Sequence, residues 1–403
     1  MGFMQRNTST KFRLGLMTFF LTLLLSCSSG LPPVPAQPLS LTAASLPPDL
    51  LTDLPRLRTV DLSGKQPRLH FPRFGQCQFI LPIKPDLATG LHFVPAEHES
   101  KINQCLDAAV KERINVLILP ELSLAFPKDV RARIIDKAQK IAAQNNMVII
   151  AGSFYDSQQF SRIAVISPQG LDLGYKIRAS RFEASPGFGL GMTPGESLLV
   201  LHTPYGRLAV ITCVDLISDA VQYVLRNLAT RGEIDVIINI NYNPAAWEFL
   251  VEANSIARRH PVFVSITNVA GVEVPGKLPD GIRKQCFRNG QLVDNGSCYG
   301  NSALFGGVRT RDEDYPNCLK AIESLVGDQF KVRPKGPRSI PYDTMLANLP
   351  PFEEAMLVYE LNLRLKREPA VANAPDEGYP TVRGLRKIPL QPQALGGLPG
   401  KGR

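Results

Sequence analysis

The chain has 403 residues, of which 44% are hydrophobic and 20% charged, and its formal net charge is +9. This length and apolar content suit one large globular domain or two ordinary ones, and they exclude an intrinsically disordered chain. The excess of basic residues lies in 1–26 and 366–403, so the region between is almost neutral. It lacks the basic stripe that nucleic-acid binding needs, and no nucleic-acid partner is expected.

Residues 1–26 have the order of regions typical of a secretory signal peptide. Arg6, Lys11 and Arg13 precede an apolar run at 14–25, which is short for a membrane span of about 20 residues. The cysteine that follows, Cys27, resembles a bacterial lipoprotein processing site, where the cysteine is lipidated and becomes the mature N-terminus. An ordinary cleaved signal and an uncleaved anchor stay open as alternatives.

Proline-rich residues 27–75 are predicted to be a lipid-anchored linker that holds a soluble domain near a membrane. The expected location is the cell envelope, on the periplasmic face of a membrane. Ser28, directly after Cys27, resembles outer-membrane sorting in bacteria that have two membranes. At the other end, the basic Pro/Gly-rich residues 366–403 are predicted to be a disordered tail.

From about residue 76, short apolar runs alternate with longer amphipathic stretches, which is typical of an α/β domain. Helices are predicted where apolar residues recur at helical spacing, over Lys101–Arg113, Asp129–Gln144, Ser218–Thr230 and Phe249–Arg259. Strands are predicted over the apolar runs Gln78–Leu81, Val116–Leu119, Met147–Ile150, Ile163–Ile166, Leu208–Ile211, Val236–Ile240, Val262–Ile266, Ser302–Phe305 and Met356–Tyr359.

The segment Val272–Tyr299 interrupts this alternation, because it is long and irregular, and we predict that it is a functional loop. Its cysteines, Cys286 and Cys298, are the first choice for a disulfide, and Cys77 with Cys105 is the second. With Cys27 and Cys213 set aside, Cys318 is left over, and the sequence does not settle the connectivity. No CxxC or HExxH motif occurs and the histidines are scattered, so neither a metal nor a cofactor is expected.

Three residues at the ends of extended segments carry complementary chemistry. Glu121 and Cys213 come just after predicted strands, and Lys176 follows a strand from Ile163, a turn and the short extended stretch Leu171–Tyr175. Taken singly, Glu121 resembles a solvated carboxylate, Lys176 a surface lysine and Cys213 a small buried hydrophobe. Together they supply a nucleophile, a base that takes the thiol proton if burial brings its pKa towards neutrality, and a cation that stabilises a thiolate and an oxyanion. The N–H of Val214, at the start of the next helical pattern, is the predicted second oxyanion donor.

These residues lie in motifs that resemble those of the nitrilase, or carbon–nitrogen hydrolase, superfamily, and that come in the family's order. The resemblance covers roughly residues 76–363. It implies a four-layer α-β-β-α sandwich for a domain at 76–365, with 272–299 as an insertion. The motifs are Leu119–Glu121, Gly174–Lys176, Thr193–Gly195 and His202–Asp215, then Asn243–Trp247, Ala257-Arg258, Asn268–Gly271 and Gly300–Ser302.

The resemblance also implies an acyl-enzyme mechanism in which Cys213 attacks, Glu121 accepts and returns protons, and Lys176 stabilises the intermediate. Family members often carry another Glu between the Lys and the Cys, and Glu183 suits that position better than Glu196. Asp215 matches the acidic residue common just after the nucleophile, where it is expected to orient the turn.

The leading prediction is a hydrolase of carbon–nitrogen bonds other than peptide bonds, an amidase whose substrate is a small extracytoplasmic amide. A nitrile would use the same residues. Two alternatives stay open: an N-acyltransferase with the same acyl-enzyme, and a catalytically silent lipid-anchored binding protein. The stretch Leu216–Asp219 and the insertion depart from the family where the substrate pocket is expected, so the substrate is not assigned. A homo-oligomer is also left open.

Overall fold

The computed structural model describes residues 53–64, 66–85, 92–184, 191–292, 298–306, 344–363 and 382–390. All of these lie in the unit Asp53–Arg403. The predictions for the signal peptide, for Cys27 and for Cys318 fall outside the described residues. Within the ranges given, none of the helices combines the length and the apolar content that crossing a membrane requires.

The described residues form strands that alternate with helices along much of the chain. The helices are α1 (Glu99–Lys111), α2 (Lys128–Asn145), α3 (Arg181–Ala184), α4 (Asp219–Thr230), α5 (Trp247–Arg259) and α6 (Asp280–Cys286), with 3-10 turns at Ala96–His98, Cys213–Ile217 and Pro275–Lys277. The strands are β1 (Arg56–Asp61), β2 (Arg73–Gln78), β3 (Lys84–Pro85), β4 (His92–Phe93), β5 (Val116–Ile118), β6 (Val148–Tyr155), β7 (Ser161–Ser167), β8 (Gly170–Tyr175), β9 (Ser197–Thr203), β10 (Gly206–Thr212), β11 (Val236–Asn241), β12 (Phe263–Asn268), β13 (Phe287–Arg288), β14 (Gln291–Leu292), β15 (Ser302–Phe305), β16 (Met345–Leu349), β17 (Ala355–Leu361) and β18 (Val382–Pro389).

Two seven-stranded sheets form the centre of the unit. The first sheet has the order β18-β17-β2-β5-β6-β7-β8, and the second has the order β1-β9-β10-β11-β12-β15-β16. Strands β2, β5 and β6 run parallel in the first sheet, and β10, β11 and β12 run parallel in the second. Parallel strands end at a common edge, so the residues that follow them are brought close together there.

Three apolar cores separate four layers. Phe74 of the first sheet and Val210 of the second belong to the core between the sheets. Helices α1 and α2 cover the outer face of the first sheet, where Leu106 is buried. Helices α4 and α5 cover the second sheet through residues such as Leu225 and Phe249. The predicted α-β-β-α sandwich is therefore confirmed.

The predicted helices are all present, and their ends differ from the predicted ones by two residues at most. The first predicted strand, Gln78–Leu81, is displaced, because β2 ends at Gln78 and the next residues pair elsewhere. Ile80 forms an isolated bridge with Gly271, and Leu81 N–H donates to the Gly271 carbonyl at 2.9 Å. Apolar composition predicted burial of this run but did not identify its partner.

Two strands lie outside the predicted domain boundaries of 76 and 365. Strand β1, in the range predicted as linker, pairs with β9, and β18, in the range predicted as tail, pairs with β17. Each forms an edge of a large sheet. Most of their residues are exposed or half-buried and many are charged, as is common at sheet edges, so hydrophobic pattern does not reveal them.

Candidate active site

Cys213 stands directly after β10 and begins the 3-10 turn Cys213–Ile217. Its φ of 50° lies in the left-handed region that side chains other than glycine rarely adopt. A residue held there costs on the order of 1–3 kcal/mol, which surrounding contacts must offset. The turn places the thiol at the carboxyl end of a parallel strand, with the residue only 4% exposed.

Asp215 supplies the contacts that hold this turn. Its carboxylate accepts hydrogen bonds from the backbone N–H groups of Thr212 at 3.2 Å, Ile177 at 3.1 Å and Arg178 at 2.8 Å. Burial raises the pKa of Asp215 to about 6, although Lys176 and these N–H groups oppose the rise. Asp215 therefore holds the turn that begins at Cys213, as the sequence predicts, and links it to the segment that follows Lys176.

Lys176 forms a buried ion cluster with two carboxylates. Its Nζ lies 2.8 Å from Glu121 Oε1 and 2.8 Å from Glu183 Oε2. Glu121 follows β5 and Lys176 follows β8, while Glu183 lies in α3. Exposure is 2% for Glu121, 2% for Lys176 and 8% for Glu183. The structure thus brings the predicted base, the predicted cation and the second Glu into direct contact.

The two carboxylates of this cluster differ in their affinity for a proton. Burial raises the pKa of Glu121 to about 7, against the pull of Lys176 and with added repulsion from Glu183. Burial also acts on Glu183, but Lys176 and hydrogen bonds from Tyr155 and Ser180 hold its pKa below the usual value. Glu121 is therefore the carboxyl group poised to exchange a proton near neutral pH.

The Cys213 thiol lies within the field of the same charges. Burial raises its pKa above the ordinary value, while Lys176 favours the thiolate and Glu121 opposes it. Asn243 Nδ2 donates a hydrogen bond to Sγ at 3.9 Å. The resting thiol is therefore protonated, and a nucleophilic attack by Cys213 needs a base.

The segment after β11 contributes residues that the sequence marked only as family landmarks or left out. Tyr242 N–H donates to Glu121 Oε2 at 2.9 Å, so both oxygens of that carboxylate are bound. Asn243 is held in turn by Asn268, whose Oδ1 accepts from Asn243 N–H at 3.0 Å and whose Nδ2 donates to the Asn243 carbonyl at 2.9 Å. The available signal was their place at the end of, or just after, strands parallel to β10.

Tyr155 is a further site residue that sequence reasoning missed. Its O–H donates to Glu183 Oε1, and Ser180 N–H donates to Glu183 Oε2 at 2.7 Å. A tyrosine that ends an apolar strand has the pattern of a core residue, so nothing in the sequence marks it. The alternative second Glu, Glu196, lies elsewhere, because its side chain is 83% exposed.

Val214, the predicted oxyanion donor, is the second residue of the 3-10 turn that Cys213 begins. N–H groups at the start of a helix lack partners within that helix and are free to bind an anion. Val214 lies next to Cys213, and its role as an oxyanion donor stays a prediction. In the described part of the chain, no group of three or more His, Cys, Asp or Glu residues is arranged to hold a metal ion.

The cysteines outside the cluster divide into two kinds. The predicted disulfide between Cys286 and Cys298 is confirmed. The other predicted bridge is wrong, because Cys77 and Cys105 are free, buried thiols that contact each other through a hydrogen bond. Both belong to the apolar core on the α1 side of the first sheet, where a free cysteine packs as a small hydrophobic residue.

No family model matches the chain, and no curated protein matches it in sequence. Similar solved structures include a CN-hydrolase superfamily protein from Xanthomonas campestris with an arsenic adduct in its active site, at 15% identity and TM-score 0.46, covering 72% of this chain and 91% of that one. A member of branch 10 of the nitrilase superfamily from Saccharomyces cerevisiae matches at 13% identity and TM-score 0.44, and the match covers 75% of this chain and 93% of that one. An amidase from Nesterenkonia matches at 14% identity and TM-score 0.43, and the match covers 74% of this chain and 93% of that one.

Proposed function

We propose that this chain is a carbon–nitrogen hydrolase of the nitrilase superfamily, an amidase that works through a thioester on Cys213. The observation that carries the proposal is the buried Lys176 between two carboxylates. The Cys213 thiol, on a turn with a left-handed backbone, interacts electrostatically with these three charges. Burying three charged groups costs more than their attraction returns in many proteins, so such a cluster favours a functional role. The motif resemblance supports the same activity.

In the proposed reaction, Glu121 accepts the thiol proton while Cys213 Sγ bonds to the amide carbonyl carbon. The carbonyl oxygen becomes an oxyanion that Lys176 Nζ and Val214 N–H stabilise. Glu121 then protonates the leaving nitrogen, the C–N bond breaks, and ammonia or an amine departs from the thioester. Water attacks the thioester, Glu121 takes its proton and returns it to the sulfur, and the acid is released.

Glu183 has a different role in this proposal, because its oxygens accept from Tyr155, Ser180 and Lys176. These donors favour its charged form, so it serves as a fixed anion that orients the lysine. The division of work between the two carboxylates thus follows from their hydrogen bonds.

Turnover and trapping on the purified chain test this proposal. A panel of small primary amides and the corresponding nitriles is incubated with the protein, ammonia is measured, and quenched samples are examined by intact mass and peptide mapping. We expect ammonia release and an acyl adduct on Cys213, and the loss of both in Cys213→Ala. Cys105→Ala, which removes a buried thiol in the α1 core, is the matched control.

The same experiment separates the alternatives. Equal turnover by the Cys213→Ala protein, or an adduct on another residue, contradicts the proposed mechanism. With an amine acceptor added, accumulation of free acid supports a hydrolase, whereas accumulation of a new amide identifies an acyltransferase. A wild-type chain that shows neither turnover nor an adduct corresponds to a silent binding protein.

We also propose that the chain is exported and anchored in the cell envelope by a lipid on Cys27. The charged and apolar order of residues 1–26 supports this location, and so does the Cys286–Cys298 disulfide, since such bonds persist in oxidising compartments. Metabolic labelling with a palmitate analogue tests it. Wild-type protein should be labelled and Cys27→Ala should not, and equal labelling of the two excludes Cys27 as the attachment site.

A further inference from the structure

The segment 242–244 contacts both reacting groups of the proposed mechanism. Tyr242 N–H donates to Glu121 Oε2 at 2.9 Å, and Asn243 Nδ2 donates to Cys213 Sγ at 3.9 Å. The segment follows β11 and belongs to no helix or strand. Its conformation therefore depends on the side chains and loops that pack against it.

One side of this segment is held by the sheets. Asn268, at the end of β12, exchanges two hydrogen bonds with the backbone of Asn243. The hydroxyl of Tyr242 donates to the Leu81 carbonyl at 3.1 Å. These contacts come from the frame of the domain and do not involve the insertion.

The other side is held by the insertion Val272–Tyr299. Gln285 of α6 donates its Nε2 to the Pro244 carbonyl at 2.7 Å. Tyr299 packs edge-to-face against the Tyr242 ring, with centroids 5.9 Å apart and an interplanar angle of 72°. Tyr299 is 5% exposed, so this contact is shielded from water. Two points far apart in the insertion thus meet the same short segment.

The disulfide joins these two points directly. Cys286 is the residue after Gln285, and Cys298 is the residue before Tyr299. The described part of the insertion between the contact residues has only short elements, β13 and β14, of two residues each. A covalent link between Cys286 and Cys298 restricts how far the residues beside them can move apart. The bond therefore couples the contact at Pro244 to the contact at Tyr242.

We propose that Gln285 and Tyr299, joined through the Cys286–Cys298 disulfide, are positioning residues for the base and the nucleophile. They fix segment 242–244 so that its amide groups reach Glu121 and Cys213, and the site is fully formed only while the disulfide is closed. This inference rests on the proposed function, because it acts through the residues to which that function assigns the chemistry.

The pH dependence of Cys213 alkylation tests the inference without needing a substrate. Full-length protein is treated with iodoacetamide across a pH series, and the label on the Cys213 peptide is quantified for oxidised wild type, reduced wild type and Gln285→Glu, which cannot donate to Pro244. We expect the pH midpoint to shift in the last two, because release of segment 242–244 removes the Asn243 donor and changes the burial of the thiol. A midpoint that stays unchanged in both overturns the inference.

Amide hydrolysis gives a second readout. We expect kcat to fall about tenfold in Gln285→Glu, the change that corresponds to one hydrogen bond, with KM changed less than about twofold. If wild type hydrolyses no amide, the proposed function fails while the alkylation midpoints still test the positioning role. Unchanged kcat in both reduced wild type and Gln285→Glu counts against the inference.

Two controls separate positioning from general stability. Gln139→Glu removes another side-chain amide donor, which binds the Ser167 carbonyl at the same 2.7 Å and is also partly buried, but it lies on α2. This variant should lose thermal stability without a shift of the alkylation midpoint. The double variant Cys286→Ser/Cys298→Ser should behave like reduced wild type and ignore reductant; a further response to reductant would assign the effect to another thiol and refute the proposal.

Discussion

Lys176 Nζ lies 2.8 Å from Glu121 Oε1, and each of the two residues is only 2% exposed. This buried pair has a third member, Glu183, so a single ammonium serves two carboxylates. An uncompensated negative charge would then remain if both carboxylates stayed ionised. The proton affinity of Glu121 is raised and that of Glu183 is lowered, so Glu121 is the carboxyl group that takes up the proton and removes the excess charge.

Glu121→Gln should abolish proton transfer while it preserves the shape of the site. The amide oxygen can still accept from Tyr242 N–H, but it cannot take the thiol proton, and general base catalysis contributes about 10²–10⁴-fold. Steady-state kinetics on an amide that wild type hydrolyses should show kcat reduced by about that factor. Glu360→Gln, at the Arg73 ion pair, is the control and should stay active. A Glu121→Gln enzyme within about twofold of wild type would exclude Glu121 as the base.

Lys176→Met should destabilise the fold as well as remove activity. The variant leaves two buried carboxylates without their cation, and breaking a buried pair in this way costs about 3–5 kcal/mol. Urea unfolding measures this loss. The double variant Lys176→Met/Glu183→Gln should recover part of the stability but none of the activity. If the double variant is no more stable than the single one, repulsion between the carboxylates is not the cause.

The activity should rise with pH around neutrality. In the proposed mechanism Glu121 must be ionised to accept the thiol proton, and its pKa of about 7 places the acid limb of kcat/KM there. The apparent value belongs to the coupled pair of carboxylates. A pH profile of kcat/KM measures it. An acid limb near the usual carboxyl pKa of 4.5 would show that burial does not tune this group.

Folding stability should show the opposite trend. The folded-state pKa of Glu121 is raised from 4.5 to about 7, so the folded chain binds this proton more tightly than the unfolded chain does. The resulting stabilisation is complete below pH 4.5 and is lost as the pH rises to about 7. Glu121→Gln removes this contribution, and its unfolding free energy should fall less between pH 5 and 7 than that of wild type. Parallel urea curves for the two proteins at both pH values would argue against the raised pKa.

Tyr155→Phe should move the acid limb of activity to higher pH. Without the phenol donor, the pKa of Glu183 rises, and the pair of carboxylates binds its proton more tightly. Tyr205→Phe is the matched control, since Tyr205 is also buried and donates its hydroxyl to a carbonyl, that of Asn146, outside the cluster. Both variants should lose some stability, and only Tyr155→Phe should shift the pH profile of kcat/KM.

Sequence pattern could predict the contact between Lys176 and Glu121, because both residues follow strands and strand ends bring such residues together. It could not predict the hydrogen bond from Tyr242 to Glu121, because the donor is a backbone N–H that every residue except proline carries. Tyr155 was missed for another reason, since its burial made it indistinguishable from a core aromatic. The edge strands β1 and β18 were missed because backbone pairing, which leaves no mark on side-chain polarity, holds them to the sheets.

The carboxylate of Asp215 binds the N–H groups of Ile177 and Arg178 while it caps the turn that begins at Cys213. The backbone after Lys176 and the backbone at Cys213 follow strands of different sheets, and a single carboxylate therefore binds both of them. Thermal fluctuations that displace one of them must carry the other along. Movement of one sheet relative to the other therefore leaves the distance between the Cys213 sulfur and the Lys176 ammonium unchanged. The amide hydrogens of residues 177, 178 and 212 should exchange together in a single cooperative opening.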